Sequence, residues 1–115
     1  MYALFLDDPH NRPFWAYISE EGPFWYDAEG NLSTLLPDTA ITAEQGYDSS
    51  GQLPLNLVMA GDSTANLPYV ENVYTQITTR GYQGLNATLF TYRLGHVAMD
   101  GPATVAALTF LLKTP

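Results

Sequence analysis

The chain has 115 residues, 46% of them apolar and only 14% charged, and its formal net charge at pH 7 is −8. This length is typical of one domain, so we expect a single domain over residues 1–115. The chain contains no Cys, which excludes disulfides and thiolate ligands, and its four basic residues are scattered, whereas a nucleic-acid surface needs clustered Lys and Arg.

The first residues, 1–6, are apolar but carry no basic leader, so we expect no signal peptide and assembly in the cytoplasm. The apolar run at residues 103–112 is interrupted by Thr104 and Thr109, and it is shorter than the roughly 20 residues that cross a bilayer. We therefore expect no membrane insertion.

Two aromatic segments, residues 14–17 and 24–26, are separated by a polar stretch that ends in Gly22-Pro23. Together they predict a hairpin of short strands with aromatic side chains on both faces. Exposed Trp and Tyr rings stack on the apolar faces of sugars, and neighbouring carboxylates accept bonds from sugar hydroxyls. The candidate ligand-binding residues are therefore Trp15, Tyr17, Trp25 and Tyr26. The alternative is that both faces of the hairpin are core or subunit interface.

The segment Gly61-Asp62-Ser63 follows an apolar strand predicted at residues 53–59, and it resembles the first block of the GDSL or SGNH hydrolases. The resemblance implies Ser63 as a nucleophile, which needs a positioned base. The chain has two histidines, and His96 precedes Asp100, whereas an Asp that precedes the His is expected in those hydrolases. We therefore expect no catalytic residue. The acidic turns lack a recognised ion-binding spacing, so we expect no metal and no cofactor.

Alternating polar and apolar side chains predict strands over residues 69–80 and 86–94. Glycines bound a further short strand predicted at residues 96–99, and residues 103–112 are predicted as the last strand. The mild helical pattern at residues 39–45 is too short to stand alone, and eight prolines and nine glycines disfavour long helices. With the shorter strand candidates, which include residues 4–6 and 14–19, this pattern predicts an all-β fold. We expect a single-domain antiparallel sandwich or short barrel of about seven to nine strands.

The segment Tyr92-Arg93-Leu94-Gly95-His96-Val97-Ala98-Met99-Asp100-Gly101 is predicted as strand, Gly turn, strand and Gly turn. It resembles the distal domains of bacteriophage tail fibres and receptor-binding proteins. The resemblance implies a homotrimer that contacts other virion proteins, with a glycan or protein of the host surface as its ligand. The leading expectation is a non-enzymatic virion protein (tail fibre or tip, adaptor or decoration) that acts by assembly and receptor binding.

Two other classes of function stay open. The aromatic hairpin favours a carbohydrate-binding module. The charge distribution favours a small acidic inhibitor or anti-defence protein, because residues 1–71 hold eleven acids and one base. In such a protein the carboxylates would mimic nucleic-acid phosphates, and its binding would weaken with salt.

Overall fold

The computed structural model describes residues 14–22 and 51–113. In these two stretches the chain forms three strands and two helices, in the order β1 (Ala16–Glu20), β2 (Asn56–Asp62), α1 (Leu67–Thr79), β3 (Asn86–Tyr92) and α2 (Asp100–Leu112). The expected all-β sandwich or barrel is therefore wrong, because the described residues mix helix and strand. Neither described helix has the length and apolar character that a membrane crossing requires.

The strands form a sheet in the order β1–β2–β3, and both neighbouring pairs are parallel. Asn56 at the start of β2 lies opposite Ala16 on one side and Asn86 on the other. Parallel strands cannot be joined by tight hairpins, since each connection must return to the opposite end of the sheet. Helix α1 is such a connection between β2 and β3, and it stands where a strand was predicted over residues 69–80.

Strand β2 lies at the centre of the core and is buried on both faces. On one face it packs with α1, and the buried members of that cluster include Leu57, Met59, Val70, Val73 and Ile77. On the other face it packs with α2, and the buried members there include Val58, Ala60, Ala103, Ala107 and Leu111. The described residues therefore form three layers, helix on sheet on helix, and this burial explains the uninterrupted apolar run in β2.

The segment 69–80, predicted as a strand, is helix α1. Pro68 lies in its first turn, where backbone N–H groups have no acceptor within the helix, so the N–H that Pro lacks costs no hydrogen bond. Its buried residues recur at helical spacing, at Val70, Val73 and Ile77. Thr78 and Thr79 donate their hydroxyls to carbonyls one turn back, which satisfies two side chains that by themselves favour strand. Burial against β2 outweighs the β propensity of these residues.

Helix α2 stands where strands were predicted at residues 96–99 and 103–112, and both predictions are wrong. Residues 96–99 form a turn, and Met99 is the N-cap of the helix. The inward residues of α2 are spaced four apart, at Ala103, Ala107 and Leu111. Two of these three are alanines, so the backbone of the helix lies close to β2.

The strand predicted at residues 86–94 is confirmed as β3. The strands predicted at residues 14–19 and 53–59 overlap β1 and β2, but both observed strands lie further toward the C-terminus. Three other predicted elements lie outside the described residues, at 4–6, 24–26 and 39–45.

Candidate functional site

Three polar side chains meet where the strands of the sheet end. Glu21 directly follows β1, Asp62 is the last residue of β2, and His96 lies in the loop between β3 and α2. Because all three strands are parallel, their carboxyl ends share one edge of the sheet. Ligands of open parallel sheets bind outside this edge.

Glu21 is buried, with 6% of its surface exposed, and its φ of +51° lies in the left-handed region that few non-Gly residues adopt. Its backbone N–H donates to the Ala60 carbonyl at 2.9 Å. Its Oε1 accepts the Asp62 backbone N–H, and its Oε2 accepts the Asn66 backbone N–H at 3.3 Å. The strained backbone and these donors together hold a buried carboxylate in one orientation.

The same Oε2 of Glu21 lies 2.8 Å from Nδ1 of His96, across 75 residues of sequence. A carboxylate only accepts hydrogen bonds, so Nδ1 carries the proton in this contact. The other ring nitrogen of a neutral imidazole, Nε2, is then left with a free lone pair. The His96 side chain is 60% exposed while that of Glu21 is 5% exposed, so a buried acid positions an accessible base.

Asp62 is fully buried and holds the loop that carries His96. Its Oδ1 accepts the backbone N–H and the hydroxyl of Thr64, at 2.9 and 2.5 Å. Its Oδ2 accepts the backbone N–H groups of Leu94 and Gly95, at 2.6 and 2.9 Å. The Thr64 hydroxyl, helped by these backbone donors, lowers the pKa of Asp62 to about 2 although burial opposes it. Asp62 is therefore ionised, and both of its oxygens are occupied by backbone and Thr64 donors.

The imidazole of His96 lines a cleft of about 230 Å³ at this edge of the sheet. The other lining residues are Glu20, Glu21, Val97, Met99 and Asp100. The walls are thus partly acidic and partly apolar, and a small molecule or a single side chain fits the volume.

Glu20, the last residue of β1, joins the sheet to α2 beside this cleft. Its Oε1 accepts the Thr104 hydroxyl at 2.9 Å. Burial and the neighbouring Asp100 carboxyl raise the pKa of Glu20, and the Thr104 hydroxyl opposes them. Glu20 therefore holds a proton more tightly than an ordinary carboxyl group.

The predicted sugar-binding residues are not gathered at this cleft. Trp15 is 61% exposed and lies just before β1. Tyr17 packs against the α1 side of the core, and its buried hydroxyl has no hydrogen-bond partner among the described residues. Trp25 and Tyr26 lie outside the described residues, so sugar binding stays a prediction.

Ser63, which the hydrolase resemblance singled out, is exposed after β2, and its N–H donates to the Tyr92 carbonyl at 2.8 Å. No hydrogen bond joins Ser63 to His96 in the described part of the chain. The pairing of Glu21 with His96 was not predicted from the sequence. The available signal was positional, since Glu21 and His96 each closely follow a segment predicted as a strand, and the carboxyl ends of parallel strands share one edge of a sheet.

Within residues 14–22 and 51–113, no group of three or more His, Cys, Asp or Glu side chains is arranged to hold a metal ion. Comparison with family models, curated proteins and solved structures finds no match. Nothing therefore tests the tail-fibre resemblance, and the virion role, its localisation and the trimer stay predictions.

Proposed function

We propose that this protein catalyses acyl transfer, the hydrolysis of an ester or a related acyl compound, with His96 as general base and Glu21 as its positioning residue. The observation that carries the proposal is the 2.8 Å contact between the buried Glu21 carboxylate and Nδ1 of His96. A carboxylate on Nδ1 fixes the tautomer and the ring orientation, and it leaves Nε2 to accept a proton.

The chemistry follows from these two side chains. Nε2 of His96 takes a proton from water or from a hydroxyl group as its oxygen attacks the acyl carbon. The imidazolium formed is stabilised by the Glu21 carboxylate. His96 then returns the proton to the departing alcohol, so the base is regenerated in each cycle.

The surroundings of the pair support a catalytic role over that of an ordinary surface ion pair. Exposed ion pairs join two mobile side chains and contribute little. Here Glu21 is buried and accepts hydrogen bonds from two backbone N–H groups. A second buried acid, Asp62, holds the loop that carries His96. Two neighbouring strands therefore each use a carboxylate to place one imidazole, which is the preorganisation that catalysis requires.

The position of the pair along the chain gives further support. On parallel α/β sheets, serine hydrolases carry the acid before the histidine in sequence, each in a loop after a strand. Glu21 and His96 follow this order. In the described part of the chain no hydroxyl lies within hydrogen-bond distance of His96, so the group it activates is water or a hydroxyl that enters the cleft.

Hydrolysis of p-nitrophenyl acetate by the purified chain tests the proposal. We expect His96→Ala to lower kcat/KM by about 10²-fold, the lower end of the general-base contribution. His10→Ala is the matched control, because it removes the other histidine of the chain, and we expect it to leave the rate unchanged. Equal rates for the wild type and His96→Ala would refute the proposal.

Glu21→Gln tests the positioning role, with circular dichroism to check that the variant is folded. In the orientation in which the glutamine NH₂ replaces Oε2, it donates to Nδ1 of His96, so the tautomer of the imidazole is reversed. We expect kcat to fall with KM little changed, and the downfield Nδ1 proton resonance of His96 to disappear. A normal solvent deuterium isotope effect in the wild type would separate general-base catalysis from direct attack by the imidazole.

A further inference from the structure

Helix α2 carries apolar side chains on the side that faces away from the sheet. Val105, Leu108 and Leu112 are 66%, 49% and 86% exposed. A helix on the surface of a soluble domain normally presents polar residues on that side. The outward residues recur at spacings of three and four, so they form one continuous apolar stripe along the helix.

An apolar groove runs beside this stripe, between α2 and β3. Its volume is about 360 Å³, and its lining residues are Phe90, Ala106, Thr109, Phe110 and Lys113. The apolar side chains of the stripe project beside the recessed groove, so one surface carries both a protrusion and a cavity. A surface of this kind is self-complementary if a second copy approaches it about a two-fold axis.

The charges at the two ends of α2 favour one relative direction of the paired helices. Helix α2 has no charged residue between Asp100 at its start and Lys113 directly after its end. The start of the helix is acidic, with Glu20 beside Asp100, and the end is basic. An antiparallel second copy therefore sets unlike charges together at both ends, whereas a parallel copy would set like charges together.

The same antiparallel register also packs the apolar residues of the stripe against the second copy. An antiparallel pairing that places Asp100 opposite Lys113 of the second copy also places Val105 opposite Leu108 and Leu112 opposite Gly101. A side chain built on Gly101 would meet nothing within 4 Å, so the Leu112 side chain has room there. Charge and packing thus point to one arrangement.

We infer that the outward face of α2 is a homodimer interface, on which a second copy of this chain packs its own α2 antiparallel about a two-fold axis. The helix is 13 residues long, which corresponds to a contact about 20 Å in length. At each end of the contact, Lys113 of one copy approaches the carboxyl pair, Glu20 and Asp100, that lines the cleft of the other. The inference is independent of the proposed catalytic role.

Light scattering coupled to size exclusion tests the pairing on the full chain. We expect the wild type to have twice the mass of one chain at high micromolar concentration. Leu108→Glu places a charge at the centre of the contact and should raise the Kd of the dimer at least about a hundredfold. Asn72→Glu on the exposed side of α1 is the matched control and should remain dimeric. A monomeric or trimeric wild type, or a dimer that Leu108→Glu leaves intact, would overturn the inference.

A charge exchange tests the antiparallel direction. Lys113→Asp should raise the Kd about tenfold, because two identical ion pairs are lost in each dimer. Adding Asp100→Lys to the Lys113→Asp chain restores an attraction between positions 100 and 113 at both ends, which Glu20 opposes, so we expect the dimer to recover in part. Circular dichroism at the same concentrations confirms that each variant is folded. A folded double variant that dimerises no better than the single variant would overturn the antiparallel arrangement.

Discussion

Gly61 lies one residue before Asp62, at a point where α1 crosses close over β2. A Cβ at this position would lie 3.0 Å from the Leu67 Cα, 3.1 Å from the Leu67 Cδ1 and 3.3 Å from the Val70 Cβ. The first of these is a backbone atom, so it cannot move aside by a rotamer change. Gly61→Ala therefore pushes α1 away from the sheet, and overpacking of a core by one methyl group costs about 1–3 kcal/mol.

Urea unfolding followed by circular dichroism measures this cost. With a slope near 2 kcal/mol per molar urea, a loss of about 2 kcal/mol lowers the unfolding midpoint by about 1 M. Asn72→Ala on the exposed side of α1 is the control, since this residue lies on the helix face away from the sheet. We expect it to be neutral or stabilising by less than about 1 kcal/mol, because Ala has the higher helix propensity. A Gly61→Ala chain as stable as the wild type would refute the close approach of α1 to β2.

Three further outcomes follow from the site. The lowered pKa of Asp62 means that its stabilising effect is complete above the ordinary value of 3.8 and is lost as pH falls toward about 2. We expect Asp62→Asn to flatten the acid limb of a thermal-stability profile over that range, and an unchanged limb would contradict the assignment. The raised pKa of Glu20 has the opposite sign, since the folded chain holds that proton more tightly than the unfolded chain and loses stability as pH rises through the folded value. Glu20→Gln should therefore raise Tm at pH 7 and lose this advantage in acid, when Glu20 itself is protonated. Gly95 has a φ of +98°, which an Ala adopts only with strain, so Gly95→Ala should cost about 1–3 kcal/mol in urea unfolding. Because residue 95 directly precedes His96, the proposed mechanism also predicts slower hydrolysis of p-nitrophenyl acetate by this variant.

The local geometry of the candidate site depends on the strands being parallel. In an antiparallel sheet, the ends of neighbouring strands point in opposite directions, and residues directly after β1 and β2 would lie at opposite edges. Because both pairs are parallel, Glu21 and Asp62 lie side by side and reach the same loop. The error in fold class and the failure to find the Glu21–His96 pair therefore have one physical cause.

Local signals in the sequence were sufficient for part of the molecule. Alternation over residues 86–94 identified β3, the end strand of the described sheet, whose side chains are partly buried on both faces. The apolar run at residues 53–59 predicted a strand that overlaps the observed β2. Neither pattern indicates which strands are neighbours or whether they run parallel, so neither could predict the order of the sheet.

The amino-acid sequence alone was enough to establish the lack of thiol chemistry and the acidic charge, and to predict an apolar strand near the observed β2. That two Thr- and Val-containing segments are helices follows from tertiary contacts, because burial of one helical face against β2 outweighs their strand propensity. Tertiary structure also decided the candidate site, because Glu21 and His96 are 75 residues apart and meet only through the parallel register of three strands. A pairing over that separation depends on the whole sheet, and no local pattern of side chains contains it.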